Sequence, residues 1–189
     1  MSIAASVVNG LRGGALLARG RPQGMAFFPG TMDDATRSFV AMALSVPPIV
    51  GIRLIGWAES GVPANGGRIL LRDLMVYFVS WLVFAIMSYR IAGTTGRTEQ
   101  WPRFVVAWNW CNVVGNMMVM VGGVPSLLGV PTIIEQVVEL VALGWALWLE
   151  WYVMRVAFGA GPLLAAYLVM LDQIIGLGFA IMGLSLGPR

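Results

Sequence analysis

The chain has 189 residues, of which 58% are hydrophobic and 11% charged, with a mean hydropathy of +0.80 and a net charge of +3. A soluble domain carries roughly a quarter charged residues, so lipid is the solvent that suits this composition. All 12 basic residues are arginines and histidine is absent, which excludes Schiff-base lysines, imidazole bases and histidine ligation of zinc, iron or chlorophyll magnesium from the chain's own residues.

Residues 1–30 read as an N-terminal interfacial segment. Ile3, Val7, Val8, Leu11 and Leu17 recur at near-helical spacing with Arg12, Arg19 and Arg21 between them, the pattern of an amphipathic helix lying at a membrane surface. Asn9, Gly10, Arg12, Gly13 and Gly14 interrupt the apolar run that a cleaved signal peptide needs, and the glycines weaken the helix. Thr31 stands three residues before Asp34, a capping pattern that starts the next helix near Met32.

Residues 31–189 then form one domain of five transmembrane helices, with spans at about 38–58, 69–90, 103–121, 132–153 and 163–186. The expected fold is therefore all-α, a polytopic integral membrane protein. The first span is about 31 Å long at ~1.5 Å per residue. Pro47 and Pro48 lie in its middle and should kink it, leaving carbonyls near residues 43 and 44 in want of a polar partner, while Arg53 can snorkel toward the headgroups. With a cytoplasmic N-terminus, Arg12, Arg19, Arg21, Arg37, Arg90, Arg97, Arg103 and Arg155 fall inside, against Arg53, Arg68, Arg72 and Arg189 outside. That asymmetry orients the N-terminus to the cytoplasm and the C-terminus to the periplasm.

Polar residues inside the spans are the candidate functional groups. Asn109, Asn112 and Asn116 share one face of the third span at i, i+3 and i+7. They serve either interhelical hydrogen bonding or a wet path. Trp108 and Trp110 point elsewhere, toward lipid or a partner chain. Asp172 lies deep in the fifth span with Gly176, Ala180 and Gly183 on its face, so it faces protein; a contact with Asn112 is expected, and a proton-relay role is the alternative.

Glu135, Glu139 and Glu150 form an acidic face on the fourth span, with Glu135 near the helix start and Glu150 paired locally with Arg155 among Trp145, Trp148, Trp151 and Tyr152. Cys111 is a packing residue. Gly66-Gly67 and Gly122-Gly123 read as turns. No catalytic motif and no metal cluster appears, so neither an enzyme nor a cofactor is expected, and pigment or quinone binding stays open.

Three stretches, Gly10 to Met25 (GLRGGALLARGRPQGM), Trp101 to Trp110 (WPRFVVAWNW) and Glu150 to Gly159 (EWYVMRVAFG), resemble small inner-membrane proteins of alphaproteobacteria. Those in turn resemble the Yip family. The resemblance implies five membrane helices, a cytosolic N-terminus and, in eukaryotes, a role in membrane trafficking or assembly. The acidic Asp-Leu-Tyr-Gly-Pro signature of the eukaryotic branch is absent, so no functional residue carries over.

Two functions follow as expectations. The first is a non-enzymatic accessory or scaffold subunit that binds membrane lipid and other membrane proteins or itself, without nucleic acid, motivated by deep tryptophans and small-residue helix faces. The second is a small oligomeric transporter or channel built around Asp172 and the asparagine stripe.

Overall fold

The computed structural model describes residues 3–185. Position 186 of the fifth predicted span, Arg189 and the side chain of Ile3 lie outside that description. The described residues fold as α1 (Ile3–Leu17), a 3-10 turn (Pro22–Phe27), α2 (Met32–Ser38), α3 (Val40–Ser60), α4 (Gly66–Thr94), α5 (Trp101–Gly122), α6 (Val124–Leu127), α7 (Thr132–Val156) and α8 (Pro162–Ser185), with no strand among them. Five helical stretches are long and apolar enough to cross a membrane, α2 and α3 counting as one and α5 and α6 as another. The chain is an all-α polytopic membrane protein.

α5 is the hub. In its most apolar window 56% of residues are buried, against 11% to 22% in the other four spans, and α1, α2, α3 and α7 all pack on it. The four peripheral spans leave apolar stripes outside. Leu71, Met75, Val79, Leu82 and Ile86 run down one exposed face of α4, and Met170, Ile174, Leu177 and Ile181 down one face of α8. These spacings keep successive side chains on a single side of a helix, where hydrocarbon is the compatible solvent.

Local chemistry accounts for the helix ends. Thr31 caps α2 by accepting the Asp34 N–H, as its spacing predicts. The chain breaks once at Phe39 between α2 and α3, and α3 then continues as a helix through Pro47 and Pro48. Arg53 does not reach outward alone: its guanidinium pairs with Asp73 of α4, which also takes two hydrogen bonds from Arg72 at 2.8 and 3.1 Å. Gly122 ends α5 rather than serving only as a turn. A Cβ there would lie 2.5 Å from Ala142 Cβ, so its bare backbone is what lets α5 and α7 close together.

α1 lies across α5, and its glycines make the contact. Gly10, Gly13 and Gly14 are buried. A Cβ on Gly10 would fall 2.1 Å from the Trp110 ring, and one on Gly14 would lie 3.1 Å from Val114. The residues expected to weaken the helix thus form its docking face, while Val8, assigned to the apolar face, is 48% exposed. Arg103 fastens the following turn by donating to the carbonyls of Met25 at 2.7 Å and Phe28 at 3.1 Å. Tyr152 donates to the Gly20 carbonyl at 3.0 Å, tying the end of α1 to α7.

Candidate functional site

α4, α5, α7 and α8 surround a polar cleft. α8 packs against α4 and α7, and α5 stands across the cleft from it, so two chambers open between them. The larger, about 480 Å³, is lined from α4 by Asp73, Tyr77, Ser80 and Trp81, from α5 by Trp108, Asn112 and Asn116, and from α8 by Asp172, Gln173 and Gly176. The smaller, about 140 Å³, shares Trp108, Asn112, Asn116 and Gln173 and adds Glu150 of α7 with Cys111 of α5. A Cβ on Gly176 meets nothing within 4 Å. That glycine opens onto the chamber instead of drawing a helix close. Gly183 is the one that meets a neighbour, with Arg72 and Val76 of α4 at 3.3 Å from its notional Cβ.

The three asparagines divide between two roles. Asn109 is fully buried and satisfied: Trp81 Nε1 donates to its Oδ1 at 2.6 Å, and its Nδ2 donates to Ser38 Oγ at 2.7 Å. Ser38 Oγ in turn donates to the Ala35 carbonyl at 2.6 Å, so this chain of bonds ties α4, α5 and α2 together. Asn112 and Asn116 face the cleft. The Asn112 Nδ2 is buried and donates to nothing. Asn112 and Asp172 line the same chamber, and the Asn112 amide donates no hydrogen bond to the acid.

Asp172 meets another acid. Its carboxyl interacts electrostatically with that of Glu150, whose Oε2 is held by Gln173, the residue next to Asp172. Glu150 is only 8% exposed, and Gln173 Nε2 donates to its Oε2 at 3.3 Å. Its Oε1 is buried without an N–H or O–H donor. The Trp108 indole points toward the same carboxyl, yet its N–H closes no hydrogen bond. Since an ionised carboxylate only accepts, two carboxyl groups hydrogen-bond to each other only with a proton between them.

The acidic face dissolves in three dimensions. Glu150 is buried, Glu135 half-buried and Glu139 exposed. Arg155 is not the partner of Glu150, because its guanidinium lies 5.4 Å from the Trp151 ring centroid, in cation–π range. Trp108 and Trp110 are 2% and 1% exposed, turned into the core rather than to lipid or a partner chain. Trp108 packs against Phe84 at 4.7 Å with the rings tilted by 36°, and meets Trp81 edge-on at 5.2 Å. Cys111 is buried in packing at 4% exposure.

Sequence reasoning missed the Glu150–Asp172 pair, Gln173 and the aromatic wall of Tyr77, Trp81 and Trp108. The pair is a tertiary contact across the turn between α7, which ends at Val156, and α8, which begins at Pro162, and spacing within one helix does not reveal it. Gln173 follows Asp172 directly and shares its depth.

Fold and cleft together define a membrane protein with a polar chamber among four helices. The chain matches no family model, no curated protein and no solved structure.

Proposed function

We propose that this chain is a small transport protein in which the cleft between α5 and α8 binds a cation at the Glu150–Asp172 pair and exchanges it for a proton. The observation that carries the reading is Glu150 Oε1, buried and without a donor beside the Asp172 carboxyl. Charge held this deep is expensive unless compensated, so the pair holds either a bridging proton or a bound monovalent cation, each cancelling one of its two negative charges. Exclusive occupancy of one site by proton or cation is the elementary requirement for exchange. The arginine distribution and the resemblance to small inner-membrane proteins support a bacterial cytoplasmic membrane, with the N-terminus in the cytoplasm.

The accessory-subunit reading, the first of the two expectations, drew on deep tryptophans, small-residue helix faces and the absence of catalytic groups. Trp108 and Trp110 are core residues, and Gly176 and Ala180 line the cleft, so neither of the first two features supports it. The test of the transport reading is proton movement in proteoliposomes that enclose a pH-sensitive dye, with a mixture of inorganic and amine cations added outside. Wild-type vesicles should acidify or alkalinise with the imposed cation gradient, and Asp172→Asn and Glu150→Gln vesicles should behave as empty ones. Wild-type vesicles indistinguishable from protein-free vesicles would overturn the reading.

A further inference from the structure

We infer that the cation taken by this cleft is a small organic ammonium ion rather than a metal ion, an inference that rests on the exchange reading above. The larger chamber joins an acid to an aromatic wall. Tyr77 meets Trp81 edge-on at 5.1 Å, and Trp81 meets Trp108 likewise at 5.2 Å, so three rings in series line the side facing Asp172 and Gly176. Ring faces attract cations, and organic ammonium ions are what combined aromatic and carboxylate sites recognise, because their carbon skeleton packs on the rings while the charge meets the acid. The volume of about 480 Å³ lies within the range typical of small-molecule sites, far above that of a bare ion.

The polar atoms in the cleft agree with this chemistry. Asp172 lines the larger chamber and Glu150, at 8% exposure with an unpartnered Oε1, lines the smaller one, so an ammonium N–H group in the larger chamber would find the Asp172 carboxyl as its acceptor. No arginine lines either chamber. Arg53 and Arg72, near the Asp73 end, are held on that carboxylate. A metal ion would need converging ligands, and no group of three or more histidine, cysteine, aspartate or glutamate side chains converges among the described residues. Hard divalent cations take at least about six oxygen ligands.

The experiment is calorimetric titration of the full chain in detergent with benzylammonium chloride. Its controls are benzyl alcohol as the neutral analogue, sodium chloride and calcium chloride. Repeating each titration in buffers of different ionisation enthalpy counts the protons released. Saturable binding of benzylammonium with release of a proton is expected, and no binding of benzyl alcohol. Asp172→Asn should weaken the binding at least about tenfold, and Tyr77→Leu several-fold, the size of one cation–π contact. Both variants are first shown to elute and melt as folded protein.

Binding of benzyl alcohol as tightly as benzylammonium would overturn the inference, because only the apolar walls would then be at work. Sodium or calcium releasing the proton while benzylammonium does not would overturn the ammonium class and leave the exchange site standing. Proton movement in vesicles that depends on Asp172, with no cation bound in detergent, would likewise overturn the inference alone. Absence of both binding and movement would remove the inference and the transport reading together.

Discussion

Trp81 of α4 donates its indole N–H to Asn109 of α5 across 2.6 Å, and the same asparagine passes a bond of 2.7 Å to Ser38 at the end of α2. Three helices are thereby joined through one side chain buried at 0% exposure. Replacing Asn109 by leucine leaves the Trp81 N–H stranded in the core, at a cost of about 2 kcal/mol. Asn112 makes no such bond through its Nδ2, so Asn112→Leu should change stability by no more than about 0.5 kcal/mol. Thermal melts of both variants in one detergent decide this. An Asn112→Leu protein less stable than Asn109→Leu would show that the division of roles is wrong.

The same pair of residues shows what hydropathy and spacing can and cannot reveal. Span positions were legible because each helix must hide its backbone in lipid and so needs a long apolar run. The stripe at positions 109, 112 and 116 was legible as a shared face, but spacing does not say which neighbour each amide meets. Asn109 stands level with Trp81 and Ser38, whereas Asn112 and Asn116 stand where α8 leaves a gap. Charge patterning misled at Glu150, since Arg155 lies within a turn and a half on the same helix and offers the obvious partner. The true neighbour comes from α8 through the hairpin at Gly161, a tertiary relationship that local pattern does not encode. The glycines of α1 misled for a similar reason: helix propensity counts against them, and packing on Trp110 overrides it.

That packing yields a prediction with an internal control. Gly10→Val forces new atoms into the Trp110 ring and should cost about 2 kcal/mol or release α1 from α5. Gly144 sits within α7 with nothing within 4 Å of a notional Cβ, so Gly144→Ala should be neutral or stabilising by up to about 1 kcal/mol. Thermal melting in one detergent reads the outcome: Gly10→Val should melt earlier than wild type, and Gly144→Ala at the wild-type temperature or slightly above it.

Arg103 holds the segment between α1 and α2 by two carbonyl bonds, to Met25 and Phe28. An alanine there removes both donors, and charged hydrogen bonds of this kind are worth about 1.5 kcal/mol or more each when partly shielded. The segment should then open locally while the five spans remain folded. Limited trypsin digestion tests this at Arg19, which is exposed; Arg21 precedes Pro22 and its bond resists trypsin. Cleavage there should accelerate in Arg103→Ala without a shift in the main melting transition. Unchanged cleavage kinetics would mean that Gly13 packing on Phe28, within 2.5 Å of a notional Cβ, suffices alone.

A proton shared by Glu150 and Asp172 has a chemical signature. Apolar carbodiimides react with protonated carboxyl groups in lipid-accessible places and leave ionised ones untouched. Asp172 lines the larger chamber and Glu150 the smaller, so dicyclohexylcarbodiimide should form adducts on both members of the pair, located by peptide mass spectrometry. Asp73 lines the same chamber as Asp172, but Arg53 and Arg72 pair with its carboxylate and should shield it from the reagent. Asp172→Asn carries the sharper expectation. An asparagine amide can donate to Glu150 Oε1 without any proton on the acid, so labelling should disappear from Glu150 as well, although its own chemistry is unaltered. Asp172→Glu keeps a carboxyl at the pair and should keep labelling at that position. If Glu150 were instead labelled as strongly in Asp172→Asn as in wild type, the proton would belong to Glu150 alone, and the two acids would not act as one site.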